Sequence, residues 1–172
     1  MSERLTPRAR EIVTVARALL ERQGSEALTM RAVANALGIR APSLYKHIAD
    51  KTALELAIII DGFAEAATAF EAATAGADDA LSAFAGAYRA FAREHPHVYR
   101  LMTERPLPRD RMPPGLEQRT AAPLLAATGT PARARAAWAF IHGMVTLELN
   151  HRFPLDDVTE PAWTSGLDAF RR

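Results

Sequence analysis

The chain has 172 residues, of which 49% are hydrophobic and 24% charged, with a net charge of +1; these are the proportions of one ordinary globular domain, or a domain carrying a small module. They exclude dominant disorder, an acidic tail and a whole-chain bias toward nucleic acid or membrane. The absence of cysteine excludes a disulfide framework, a zinc ribbon, an iron–sulfur site and a cysteine nucleophile, and fits a reducing compartment.

The opening Met1-Ser2-Glu3-Arg4 lacks the apolar core of a secretory signal, and the greasiest stretch, Leu54 to Ile60, is interrupted by Glu55 and closed by Asp61. The expected location is therefore the cytoplasm, with no membrane partner. Abundant alanine and few β-branched runs favour an all-α chain. Charge is unevenly spread: residues 1–51 hold nine Lys and Arg against five Asp and Glu, whereas the remainder is mildly acidic. Only the first third is expected to face a polyanion.

Thr6 as N-cap and Pro7 at the first helical position announce the first helix, which Ile12, Val15, Ala16, Leu19 and Leu20 make amphipathic and Gly24 ends. Thr29 caps a short second helix over about 30–37, and Gly38 supplies its left-handed stop. A third short helix is predicted over about 41–48, with Pro42 in its first turn and Leu44 and Ile48 on one face. Asp50 then caps a long fourth helix over about 51–75. The fifth helix spans about 78–94, Asp78 and Asp79 supplying capping charge, and the His95-Pro96 step forces a break before a sixth over about 96–104. The proline-rich segment 105–115 is expected to be an irregular surface loop. Helix seven reaches about Ala127, helix eight spans about 131–151 and a last helix about 160–170. The expected fold is all-α, about nine helices: a helix-turn-helix domain over residues 1–50 and a helical bundle over 51–172.

Two short helices joined by a tight glycine turn form a helix-turn-helix, in which the first braces the second for entry into the major groove of double-stranded DNA. With Leu44 and Ile48 facing inward, the third helix displays Arg40, Ala41, Ser43, Lys46 and His47, with Tyr45 at its edge. Arg40 can reach guanine O6 and N7, and Ala41 and Pro42 can touch a thymine methyl. Tyr45, Lys46 and His47 can hydrogen-bond a phosphate or a base edge. Thr29 and Lys51 stand at helix N-termini, where free N–H groups attract phosphate, and Arg31 completes the expected DNA-binding set.

The segment Leu28 to Leu54, LTMRAVANALGIRAPSLYKHIADKTAL, resembles the N-terminal domain of the tetracycline-repressor (TetR) family. Thr29, Ala34, Leu37, Gly38, Leu44, Tyr45, His47 and Lys51 match its motif, and Ile48 stands where the family commonly has phenylalanine. The resemblance implies a homodimeric transcriptional regulator binding an inverted-repeat operator, usually a repressor released by a small molecule held in the C-terminal domain. The segment Trp138 to Leu149 is similar to the Trp-His-Gly signature of one C-terminal subfamily.

Helix eight is apolar on more than one side, so one side can pack in its own domain and the other against a twin. Phe140, Gly143 and Leu147, with Trp163, Leu167 and Phe170 of the last helix, are the expected dimer interface. Phe84, Tyr88, Phe91, Tyr99, Met102, Trp138, His142 and Met144 are the candidate lining of a pocket for an apolar small molecule, with His142 as its polar group. No phosphate-binding glycine loop, His-Glu-x-x-His or Gly-x-Ser-x-Gly is present, so neither enzyme activity nor a cofactor or metal is expected. The alternative is a helical module that binds DNA nonspecifically, or binds a protein, without a ligand switch.

Overall fold

The computed structural model describes residues 6–154 and 158–171; the opening segment Met1 to Arg4, considered above for targeting, lies outside them. Among the described residues the chain forms nine α-helices and one 3-10 turn. They divide into two compact units, residues 1–64 with 95–114 and residues 65–94 with 115–172.

The first unit begins with α1 (Pro7–Gln23), where the Thr6 hydroxyl accepts from the Ala9 N–H at 3.2 Å. Ile12, Ala16, Leu19 and Leu20 are buried along its expected stripe. Gly24, at φ 78°, ends the helix and donates its N–H to the Leu20 carbonyl. In α2 (Met30–Ala36) the Thr29 hydroxyl accepts from the Ala32 N–H at 3.1 Å. The chain leaves through Gly38 at φ 67°, with the Ile39 N–H closing back onto the Ala34 carbonyl, as a left-handed helix stop requires.

The next helix, α3 (Ala41–Leu44), is shorter than the predicted span. After it the Leu44 carbonyl accepts from both His47 and Ile48, a mixed i+3 and i+4 closure that continues as a turn rather than an α-helix. The i, i+4 relation survives: Leu44 and Ile48 are both buried. The long helix α4 (Lys51–Thr74) starts with Asp50 Oδ1 accepting from the Ala53 N–H at 2.7 Å, and the boundary between the units falls inside it.

The first unit is completed by α6 (Pro96–Thr103). The segment after it is not wholly irregular, because Arg109–Arg111 form a 3-10 turn. Prolines 106, 108, 113 and 114 lie outside those three residues, so none removes the N–H groups that close the turn. At Gly62 on α4 an added Cβ would meet Met102 Sδ at 2.7 Å and Val98 Cγ1 at 2.9 Å; glycine is what lets α6 approach.

In the second unit α5 (Ala80–Glu94), α7 (Leu116–Thr128) and α8 (Pro131–Leu149) pack on one another, and α9 (Thr159–Asp168) packs on α8. The Thr130 hydroxyl caps α8 and Asp79 Oδ1 caps α5. The core is aromatic: Phe70, Phe84 and Tyr88 are all buried, with Phe70 4.7 Å from Phe84 and stacked 5.7 Å from Tyr88 between ring centroids. No helix among the described residues is long and apolar enough to cross a membrane.

Candidate nucleic-acid interface and candidate ligand cluster

Burial of Leu44 and Ile48 on one side determines what the other side of the α3 segment offers. Arg40, Pro42, Tyr45, Lys46 and His47 are exposed, as is Arg31 on α2, while Ala41, Ser43 and Lys51 are half-exposed. Tyr45 leaves 53% of its surface open, a large aromatic area with one polar tip, suited to a phosphate or a base edge. The Thr29 hydroxyl is already used as a cap, so Thr29 presents the first N–H groups of α2 more than a free side chain. Lys51 Nζ lies 3.6 Å from Glu55 Oε1, and Glu55 Oε2 accepts from Arg105 Nη1 at 3.0 Å. Neither acidic neighbour nor arginine belongs to the set expected from the sequence.

The residues proposed to line a pocket are drawn from both units. Tyr99 and Met102 are buried in the first unit, whereas Phe84, Tyr88, Phe91, Trp138, His142 and Met144 belong to the second. Within the second, Trp138 Nε1 donates to the Tyr88 hydroxyl at 3.3 Å, and that hydroxyl lies 3.4 Å from His142 Nδ1. This joins α5 and α8 through three polar groups over the buried Phe70 and Phe84 rings. Trp138 is 48% exposed, so it edges the cluster instead of being enclosed by it; its N–H finds an acceptor and its ring lies 5.8 Å from that of His142. Phe70 on α4 belongs to the cluster although it is not among the expected lining; its helical spacing from Leu56, Ile59, Ile60, Phe63 and Ala67 is the signal that marks it. A cleft of about 340 Å³ opens in the first unit, between Gln23–Glu26 and the α6 residues His97, Arg100 and Leu101. It contains none of the expected lining residues.

The proposed dimer residues also separate. Trp163 and Leu167 are buried within the unit, and Trp163 Nε1 donates to Glu148 Oε1 at 2.7 Å. Phe140 meets Trp163 edge-on at 5.8 Å and Phe170 at 6.0 Å. These rings hold α9 onto α8 of the same chain, so Trp163 and Leu167 serve the core rather than an open face. Gly143, half-buried with no atom within 4 Å of an added Cβ, and Leu147, 40% exposed, remain on the outer side of α8.

The same junction holds a charge network that the sequence did not disclose. Arg89 on α5 donates to Glu148 on α8 at 2.9 Å and to Glu160 on α9 at 2.6 Å, and its guanidinium lies 5.2 Å from the Trp163 ring centroid. The hydrogen bond from Arg89 holds the Glu160 carboxyl below its ordinary range and, reciprocally, raises Arg89. In the first unit Glu21 on α1 accepts from the His97 and Val98 N–H groups at 3.3 and 2.8 Å. It caps a helix whose own preceding residue, His95, supplies no side-chain cap.

Residues 12–58 match the model of the family described as bacterial regulatory proteins, tetR family, and residues 81–170 that of the tetracyclin repressor-like C-terminal domain. An HTH-type transcriptional regulator of Mycobacterium tuberculosis is 33% identical over 162 residues, covering 88% of this chain and 73% of that protein. Among solved structures, a protein from Rhodococcus sp. RHA1 is 25% identical with a TM-score of 0.76, over 95% of this chain and 93% of that one. A single-residue variant of TetR from Acinetobacter baumannii AYE, solved in complex with minocycline, is 27% identical with a TM-score of 0.63, over 93% and 92% of the two chains.

Proposed function

The chain belongs to the tetR family of bacterial regulatory proteins and is a DNA-binding transcriptional regulator, not an enzyme, and from that premise we propose that it is a cytoplasmic homodimeric repressor released by an apolar small molecule. Residues 1–50 are its DNA-reading domain and residues 51–172 its ligand-sensing and dimerising domain.

The observation that carries the reading is the exposed set Arg40, Pro42, Tyr45, Lys46 and His47, with half-exposed Ala41 and Ser43, laid over buried Leu44 and Ile48. Arg40 supplies a fork for guanine, Ala41 and Pro42 apolar contact for thymine, and Ser43, Tyr45, Lys46 and His47 hydrogen bonds. Thr29, Arg31 and Lys51 position the helix on the phosphates. Two-fold symmetry of the dimer then calls for an inverted repeat, with half-sites about one helical turn or a multiple of it apart.

For the ligand, Phe84, Tyr88, Trp138 and His142 are the part of the proposed lining that supports the reading, being, with the neighbouring Phe70 ring, apolar with a few converging polar groups. The related A. baumannii protein solved with minocycline lends support to a small-molecule effector. A ligand favouring the chain conformation that fits DNA less well would shift the population away from the operator.

Selection of bound sequences from a random duplex library, by the purified protein at near-physiological salt with competitor DNA, tests this. The expected outcome is a palindrome bound roughly 10³- to 10⁷-fold more tightly than random DNA. Recovery of unselected sequence would sink the specific-regulator reading in favour of a nonspecific helical module.

A further inference from the structure

Glu55 lies one turn along α4 from Lys51 and is largely withdrawn from water, its side chain 13% exposed. A carboxylate so placed needs positive charge beside it. Its two oxygens are served differently. Oε2 accepts a hydrogen bond from Arg105 Nη1 at 3.0 Å, while Oε1 is buried without a hydrogen-bond partner among the described residues. Lys51 Nζ stands 3.6 Å from Oε1, beyond hydrogen-bond reach yet well within Coulomb attraction. One carboxylate therefore lies between two cations, bonded to one and attracting the other.

We propose that Glu55 and Arg105 are positioning residues for DNA binding: Arg105 engages the Glu55 carboxylate and so leaves the Lys51 ammonium available to a phosphate. Without Arg105, the cation within reach of Glu55 is Lys51, which needs only a small side-chain rotation to bond Oε1. A lysine bonded to its own helix releases fewer counterions when DNA arrives. Arg105 lies just past Glu104, the C-cap of α6, so the state of that helix end bears on a phosphate contact at the start of α4. The inference rests on the reading of Lys51 as a phosphate ligand.

Phosphate contacts are sequence-independent, so a fluorescent mixed-sequence duplex titrated with the full chain over a salt series is a sufficient probe. Arg105→Ala is expected to weaken binding roughly two- to fivefold, the scale of a half-exposed ion pair. It should also flatten the salt dependence toward that of Lys51→Ala. In a Glu55→Gln background the same Arg105→Ala change should have no effect. A loss that persists undiminished in that background, or no loss with wild-type Glu55, overturns the proposal. Lys51→Ala with the wild-type salt slope overturns the phosphate reading as well, whereas a reduced slope there with none in Arg105→Ala overturns only the positioning role. Should Glu55→Gln fold poorly, the acetylation rate of the Lys51 amine, followed by mass spectrometry, provides the second measurement: it should fall in Arg105→Ala, and an unchanged rate refutes the mechanism.

Discussion

Gly166 shows how little room a single position can have. A Cβ there would clash with Phe140 Cζ and Cε2, and a ring already packed on Trp163 and Phe170 must move as a whole. Gly166→Ala is expected to lower unfolding free energy by about 1–3 kcal/mol, the usual cost of overpacking, read by urea denaturation. Glu160 makes a different kind of statement. Because Arg89 holds its carboxyl below the ordinary value, the folded state favours the ionised form, and the stabilisation is fully present above about pH 4.3, the unperturbed glutamate value. It is lost as acidification carries the group through its lowered folded value. The melting-temperature difference between wild type and Glu160→Gln should therefore be positive at neutral pH and vanish in acid; a difference that grows in acid would reverse the assigned sign.

At the scale of elements, legibility followed sequence distance. Thr6, Thr29, Asp50 and Thr130 each cap the N–H three residues on, so capping and the glycine stop at Gly38 could be read locally. Glu21 caps α6 from 76 and 77 residues away. Nothing in its neighbourhood separates it from the other charged residues of α1, and the His95-Pro96 step marks a break without naming what caps the helix after it. The Arg89 network was hidden for the same reason, its partners lying 59 and 71 residues onward. The third helix was overextended because Leu44 and Ile48 satisfy both an α-helix and the looser turn that forms. Glu21→Ala removes an ionised acceptor from two N–H groups, and a cost of about 1–2 kcal/mol is expected. Amide exchange at His97 and Val98 should accelerate more than in α5; equal acceleration throughout would mean the cap is not local.

At the scale of the whole molecule, periodicity and composition disclosed the all-α class, whereas which apolar faces are used inside the chain depended on long-range packing. Trp163 and Leu167 looked like a second face of an interface and are core. Gly143 distinguishes fold from assembly: with open space around its missing Cβ, Gly143→Ala should stabilise the helix by about 0.5–1 kcal/mol while weakening self-association measured by analytical ultracentrifugation. Unaltered association would remove Gly143 from the proposed interface. On the DNA side, Arg40→Ala should relax preference at one base position and cost about 1–3 kcal/mol with the selected duplex but little with random DNA.

Both tryptophans of the chain lie in the second unit, Trp138 half open to solvent and Trp163 buried beneath Arg89. Their emission separates without any added dye: acrylamide should quench the red-shifted Trp138 first, leaving Trp163 to report on the α8–α9 junction. The first unit contains no indole. A change in intrinsic fluorescence on mixing with DNA would therefore be light from residues remote in sequence from those proposed to touch the duplex, an optical reading of communication along the chain.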